Sequence, residues 1–137
     1  MTNDELSFFL AENVEQVEPV EIAVSKRIKD AQGNPIVWKI KPVPTEIANV
    51  IQNECIVGKG KDRNFDMVKY QQKMAAASVI YPNLNNAQLQ DSWGVRTPDA
   101  LLMKMLSDPM EFNVVFAIAT GTTSGEAFEE LVNEAKN

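Results

Sequence analysis

Val20-Glu21-Ile22-Ala23-Val24-Ser25-Lys26-Arg27-Ile28 and Ile36-Val37-Trp38-Lys39-Ile40, separated by Asp30-Ala31-Gln32-Gly33-Asn34-Pro35, decide the fold. In the first stretch Val20, Ile22, Val24 and Ile28 share one parity, a period of two that marks a strand with one wet face. Ile36, Trp38 and Ile40 resume the alternation after a run of turn formers, so residues 20–42 read as a β-hairpin. With both apolar sets on one side, Ile28 falls opposite Trp38 and Val24 near Pro42. Arg27, Lys29, Lys39 and Lys41 then gather on the other face. Opposed like charges cost stability, and Glu12, Glu15 and Glu18 are the nearest counter-charges. A lone hairpin is marginal in water, so its apolar face, anchored by Trp38 and Ile40, must rest on helices.

Helical spacing flanks the hairpin on both sides. Thr2-x-x-Glu5 has the spacing of a capping box ahead of Leu6, Phe9 and Leu10, which predicts a short amphipathic helix. The acidic stretch from Glu12 to Glu18, closed by Pro19, reads as a mobile connector, so residues 1–19 stand apart. Beyond Pro42 and Pro44, Ile47, Val50, Ile51 and Cys55 form a helical stripe. The run Gly58-Lys59-Gly60-Lys61-Asp62-Arg63-Asn64 reads as a loop. Asp66 caps a long helix to about Ile80, with Met67, Tyr70, Met74, Ala77 and Ile80 or Tyr81 inward. Asn86 caps a short turn closed by Ser92-Trp93-Gly94. Thr97-Pro98 and Asp108-Pro109 open two more helices, the second stopped by Gly121. Ser124 restarts a last amphipathic segment through Phe128, Leu131 and Val132. The expected fold is α+β, mainly α, in a single domain over 1–137: an N-terminal helix, one β-hairpin, then about five helices over 44–137 packed on it. Tyr81 and Trp93 join Trp38 and Ile40 as expected structural anchors.

Composition narrows the function classes. The 137 residues carry 13 Lys+Arg against 19 Asp+Glu, a net charge of −6, with 45% hydrophobic residues, which suits one folded domain. The longest apolar run, Val114 to Ala119, is far short of the ~20 residues of a membrane span. The acidic start lacks the basic character of a targeting peptide, so the cytosol is the expected compartment. The single Cys55 cannot close an internal disulfide and reads as a small buried hydrophobe. With no histidine, His-based triads, zincin motifs and mixed Cys/His zinc sites fall away, and no metal or cofactor is expected. Gly58-Lys59-Gly60-Lys61 lacks the spacing and the Ser/Thr of a phosphate loop. Glu126, Glu129, Glu130 and Glu134 read as a solvated helix face rather than catalytic carboxylates. The charge runs in blocks: −6 over residues 1–25, +5 over 26–73 and −5 thereafter. Compensation within the fold explains this better than nucleic-acid binding, which the pI of 4.7 opposes.

Methionine carries the remaining signal. Met103, Met105 and Met110 flank the junction of two adjacent helices. Met105 sits on a core stripe, whereas Met103 and Met110 lie off the stripes and, with Phe112, mark a candidate apolar patch for a partner.

Five strings lie in order along the chain: Val24-Ser25-Lys26-Arg27-Ile28-Lys29-Asp30, Gly33-Asn34-Pro35-Ile36-Val37-Trp38-Lys39-Ile40, Lys73-Met74-Ala75-Ala76-Ala77-Ser78-Val79-Ile80-Tyr81-Pro82, Leu89-Gln90-Asp91-Ser92-Trp93-Gly94-Val95 and Glu130-Leu131-Val132-Asn133-Glu134-Ala135-Lys136-Asn137. From about Phe9 to the C-terminus they resemble the tail assembly chaperones of phages and defective prophages of Gram-positive bacteria, the PBSX type. That resemblance implies a non-enzymatic protein of the host cytoplasm, absent from the mature virion. It would bind the long, helical, apolar tape-measure protein, keep it soluble, and leave as tail-tube subunits polymerise. The resemblance also implies the tail tube protein and a frameshifted longer form of the chain as candidate partners; a homo-oligomer is a further candidate, and the charge and the short apolar runs argue against nucleic acid and membrane. A structural tail subunit retained in the virion is the alternative.

Overall fold

The computed structural model describes residues 3–122. In chain order it contains α1 (Asn3–Ser7), β1 (Val20–Ile22), β2 (Trp38–Ile40), α2 (Thr45–Glu54), β3 (Ile56–Val57), β4 (Asn64–Phe65), α3 (Met67–Ser78), β5 (Val79–Tyr81), α4 (Ala87–Ser92), α5 (Pro98–Met105) and α6 (Pro109–Thr120). Thr2 and the predicted last helix with Phe128, Leu131 and Val132 lie outside the described residues, as do Glu126, Glu129, Glu130 and Glu134.

Four of the helix starts use one device, a short polar side chain accepting from the backbone three residues on. Asp66 accepts from the Lys69 amide at 3.0 Å, Asn86 from Leu89 at 2.9 Å, Thr97 from Ala100 at 3.3 Å and Asp108 from Glu111 at 3.0 Å. Gly121 ends α6 at φ 75°, a left-handed conformation that costs glycine little.

The hairpin keeps its faces but not its register. Val20 pairs with Ile40, Glu21 with Lys39 and Ile22 with Trp38, six residues from the expected match of Ile28 to Trp38. An even shift preserves parity, so Val20, Ile22, Trp38 and Ile40 still share one side. The first strand ends early because Val24 and Ser25 are both buried, and a strand cannot send consecutive side chains to the same face. Beyond them only the isolated Lys29–Pro35 bridge forms, around a turn in which Asp30 accepts from the Gln32 and Asn34 amides at 2.9 Å. The expected basic face is therefore dispersed. Lys39 lies 3.9 Å from Glu21, rather than finding its counter-charge on Glu12, Glu15 or Glu18. Arg27 donates to the carbonyl of Met105 at 3.2 Å, at the C-terminal end of α5 where a cation is favoured.

A third strand was not expected. The helix predicted to reach Ile80 stops at Ser78, and β5 pairs antiparallel with β2 to give the order β1-β2-β5. Val79, Ile80 and Tyr81 favour extended backbone, and Pro82 disfavours helix in the residue before it. Tyr81 is consequently 52% exposed and contributes backbone pairing opposite Lys39, which corrects the expectation of a buried anchor. Ala77 and Met67 are also exposed. The loop expected at residues 58–64 connects the strands of a second, two-stranded sheet, β3–β4, which begins at Ile56 and takes in Asn64. Its Gly58 has φ +85°, and a Cβ there would run into the backbone carbonyl of Asp62.

The helices gather on α3 more than on the hairpin: α5 and α6 both pack along it, and α6 reaches β2. Ala75 and Ala76 let neighbouring side chains close over α3, and the core joins them to Trp38, Ile40, Leu101, Leu102, Val115 and Ile118. A second cluster holds Ile51, Cys55 and Met74. The N-terminal helix is only five residues long, and Leu6, Phe8, Phe9 and Leu10 around its end stay exposed instead of forming a packed amphipathic face.

Candidate functional site

The joint between α5 and α6 is fixed by local hydrogen bonds. Asp108 caps α6, and the Glu111 carboxylate, three residues on, accepts from the Ser107 amide at 2.7 Å. These two bonds, with Pro109 at the first helical position, set the direction in which α6 leaves α5. Two concavities flank the joint, and Asp108 borders both.

The first, of about 310 Å³, is lined by Met103, Leu106 and Phe112, with Val68 of α3 opposite and Gln71, Gln72 and Ser107 among its polar residues. Phe112 stacks on Phe116, ring centres 6.0 Å apart, which limits how far its ring can turn. Met103 is half-buried against the core, and Val68 is 63% exposed. The second concavity, of about 380 Å³, lies between the joint and residues 22–27, with Met110 and Val114 on one wall and Ile22 and Val24 on the other. Met110 is 71% exposed. The structure thus places Met103 and Phe112 in one groove and Met110 in its neighbour.

Of the four predicted anchors, Trp38 and Ile40 have no exposed surface, Trp93 is half-buried against the main core, and Tyr81 faces solvent. Sequence reasoning missed a third groove, of about 410 Å³, where Ile47 and Val50 of α2 face Ala77, Leu84 and Pro98. The α2 stripe was legible, but Ile51 and Cys55 are buried while Ile47 and Val50 are about half exposed. Packing against Met74 and Tyr70 of α3, with Phe65 and Phe116, decides that division. Burial pushes the Cys55 thiol up, outweighing the pull of Lys69 and Lys73 toward the thiolate, so it behaves as a packed apolar group. Among the described residues no three acidic or thiol side chains gather as metal ligands would.

The comparisons extend along nearly the whole chain. Residues 6–136 match the family described as phage XkdN-like tail assembly chaperone protein, TAC. The chain is 27% identical over 139 residues to phage-like element PBSX protein XkdN of Bacillus subtilis (strain 168), covering 97% of this chain and 94% of that one. It is 26% identical over 108 residues to the uncharacterized protein YqbN of the same organism, covering 75% and 72%. The crystal structure of YqbN superposes with a TM-score of 0.68 at 22% identity over 80% of this chain and 87% of the other, a likeness of fold.

Proposed function

The chain belongs to the phage XkdN-like tail assembly chaperone family, and from that premise we propose that it binds the tape-measure protein in the host cytoplasm and keeps it soluble while the tail tube assembles. The observation that carries this reading is the groove of Val68, Met103 and Phe112, apolar within and bordered by glutamines. An amphipathic helix presents side chains at i, i+3 and i+4 to such a groove, and the flexible Met103 thioether adapts to successive shapes along a long partner. The neighbouring Met110 widens the apolar surface on the other side of the joint.

Co-expression with the tape-measure protein, followed by affinity purification from the soluble fraction, tests the reading. The wild-type chain should carry the partner into the soluble fraction and be missing from purified mature tails. Val68→Glu and Met110→Glu, both at exposed positions, should melt within about 0.5 kcal/mol of wild type and recover less partner. Equal recovery with both variants would remove these grooves from the reading. The sheet ends in two edge strands, β1 and β5, which favours a second reading as a structural subunit joined through strand edges. Finding the chain in finished tails would decide for that role.

A further inference from the structure

Among the described residues, little direct pairing joins the acidic N-terminal block to the basic one. Residues 1–25 hold six acids and no base, and among the described residues a single ion pair, Glu21 to Lys39, ties that block to the basic one. Upstream of it Glu12, Glu15 and Glu18 are exposed on a stretch whose apolar side chains are exposed as well, Phe8 by 70% and Phe9 by 81%. Both phenyl groups stand outside the two apolar clusters. This is an acidic arm with uncovered aromatic surface.

Its complement lies elsewhere in the same chain. The β3–β4 hairpin presents Lys59, Lys61 and Arg63, all exposed and with no carboxylate partner among the described residues. Ile56, Val57 and Met67 beside them are exposed too. The hairpin leads directly into the first residue of α3, whereas the last residue of α3 leads into β5, in the sheet where the arm enters at β1. Twelve residues of helix put about 18 Å between those two ends.

We propose that the N-terminal arm, residues 5–18, docks on the β3–β4 hairpin of a second copy of the chain. Acidic carboxylates meet Lys59, Lys61 and Arg63, and Phe8 and Phe9 cover Ile56, Val57 and Met67. Because arm and hairpin are different surfaces, the contact is head to tail and repeats from copy to copy as a ring or an open row. The inference is independent of what the Val68–Met103–Phe112 groove binds, which the co-purification reads separately.

Sedimentation velocity on the full chain, over a concentration series at low and high salt, tests it. The expected result is concentration-dependent assembly that salt weakens. A triple variant of the arm, Glu12→Lys with Glu15→Lys and Glu18→Lys, and one of the hairpin, Lys59→Glu with Lys61→Glu and Arg63→Glu, should each lower the association constant roughly tenfold or more. Mixing the two variants should restore association, since the reversed charges match again. A wild-type monomer at every concentration, assembly indifferent to both variants, or a mixture that stays apart would overturn the proposal. So would a monomer whose arm is shielded from protease by its own hairpin, the shielding being lost in the hairpin variant.

Discussion

The β1–β2 face and the N-terminal arm are similarly rich in apolar residues, yet one buries Trp38 and Ile40 completely while the other leaves Phe8 and Phe9 more than two-thirds exposed. The difference lies in spacing and neighbours. On the sheet, every second residue of β2 faces the same way, strands flank it on both sides, and α3, α5 and α6 close over it. In the arm, Leu6, Phe8, Phe9 and Leu10 crowd around the end of a five-residue helix and stay exposed. Apolar content says that a surface is better covered. Periodicity matched by a second element decides whether the same chain covers it.

The largest expected effect breaks the covered side of this comparison. Trp38→Ala should cost about 3–5 kcal/mol in denaturant unfolding, because the indole has no exposed surface and the surrounding helices cannot fully collapse into the space. A loss below about 1 kcal/mol would mean that the sheet face is not the centre of the core. Next is Gly58→Ala, at about 1–3 kcal/mol, since it combines a left-handed φ with a collision against backbone. Gly33→Ala sharpens this result: its φ of +84° is similar, but nothing lies within 4 Å of the added carbon, so only the conformational cost, about 1 kcal/mol, should remain. Thermal melts of the pair separate collision from conformation. Asp108→Ala follows at about 1 kcal/mol, the usual cost of a lost helix cap.

These sites also show what the sequence made legible. Asp66, Asn86, Thr97 and Asp108 were readable as caps because a cap depends on residues only three apart. Register depends on the whole connection between two strands. The run Asp30 to Pro35 does turn the chain, but Val24 and Ser25 break the alternation by both going inward, which the period-two pattern of Val20 to Ile28 does not reveal. Val79, Ile80 and Tyr81 continue the apolar helix pattern, and their extended preference, Pro82 and the free edge of β2 together decide for the strand. The two-residue strands β3 and β4 are too short to carry a period at all. The candidate groove was half legible. Met103 and Met110 stand out by type and position, but only the packing of α5 and α6 separates them into neighbouring concavities and brings Val68 across from Met103.

The smallest effect belongs to the uncovered side. Phe8→Ser combined with Phe9→Ser should change the unfolding free energy by less than about 0.5 kcal/mol when measured on dilute, monomeric chain, since neither ring packs in the fold. Two phenyl groups seated in a core would cost about 3–5 kcal/mol each, so the experiment distinguishes the alternatives widely. A loss of that size would place the arm inside the domain and end the contrast with the sheet face. A null result in dilute solution that becomes a loss of stability relative to wild type at high concentration would have another meaning. Association adds stability by mass action, so the same two rings, idle within one chain, would then be the surface that a second chain covers.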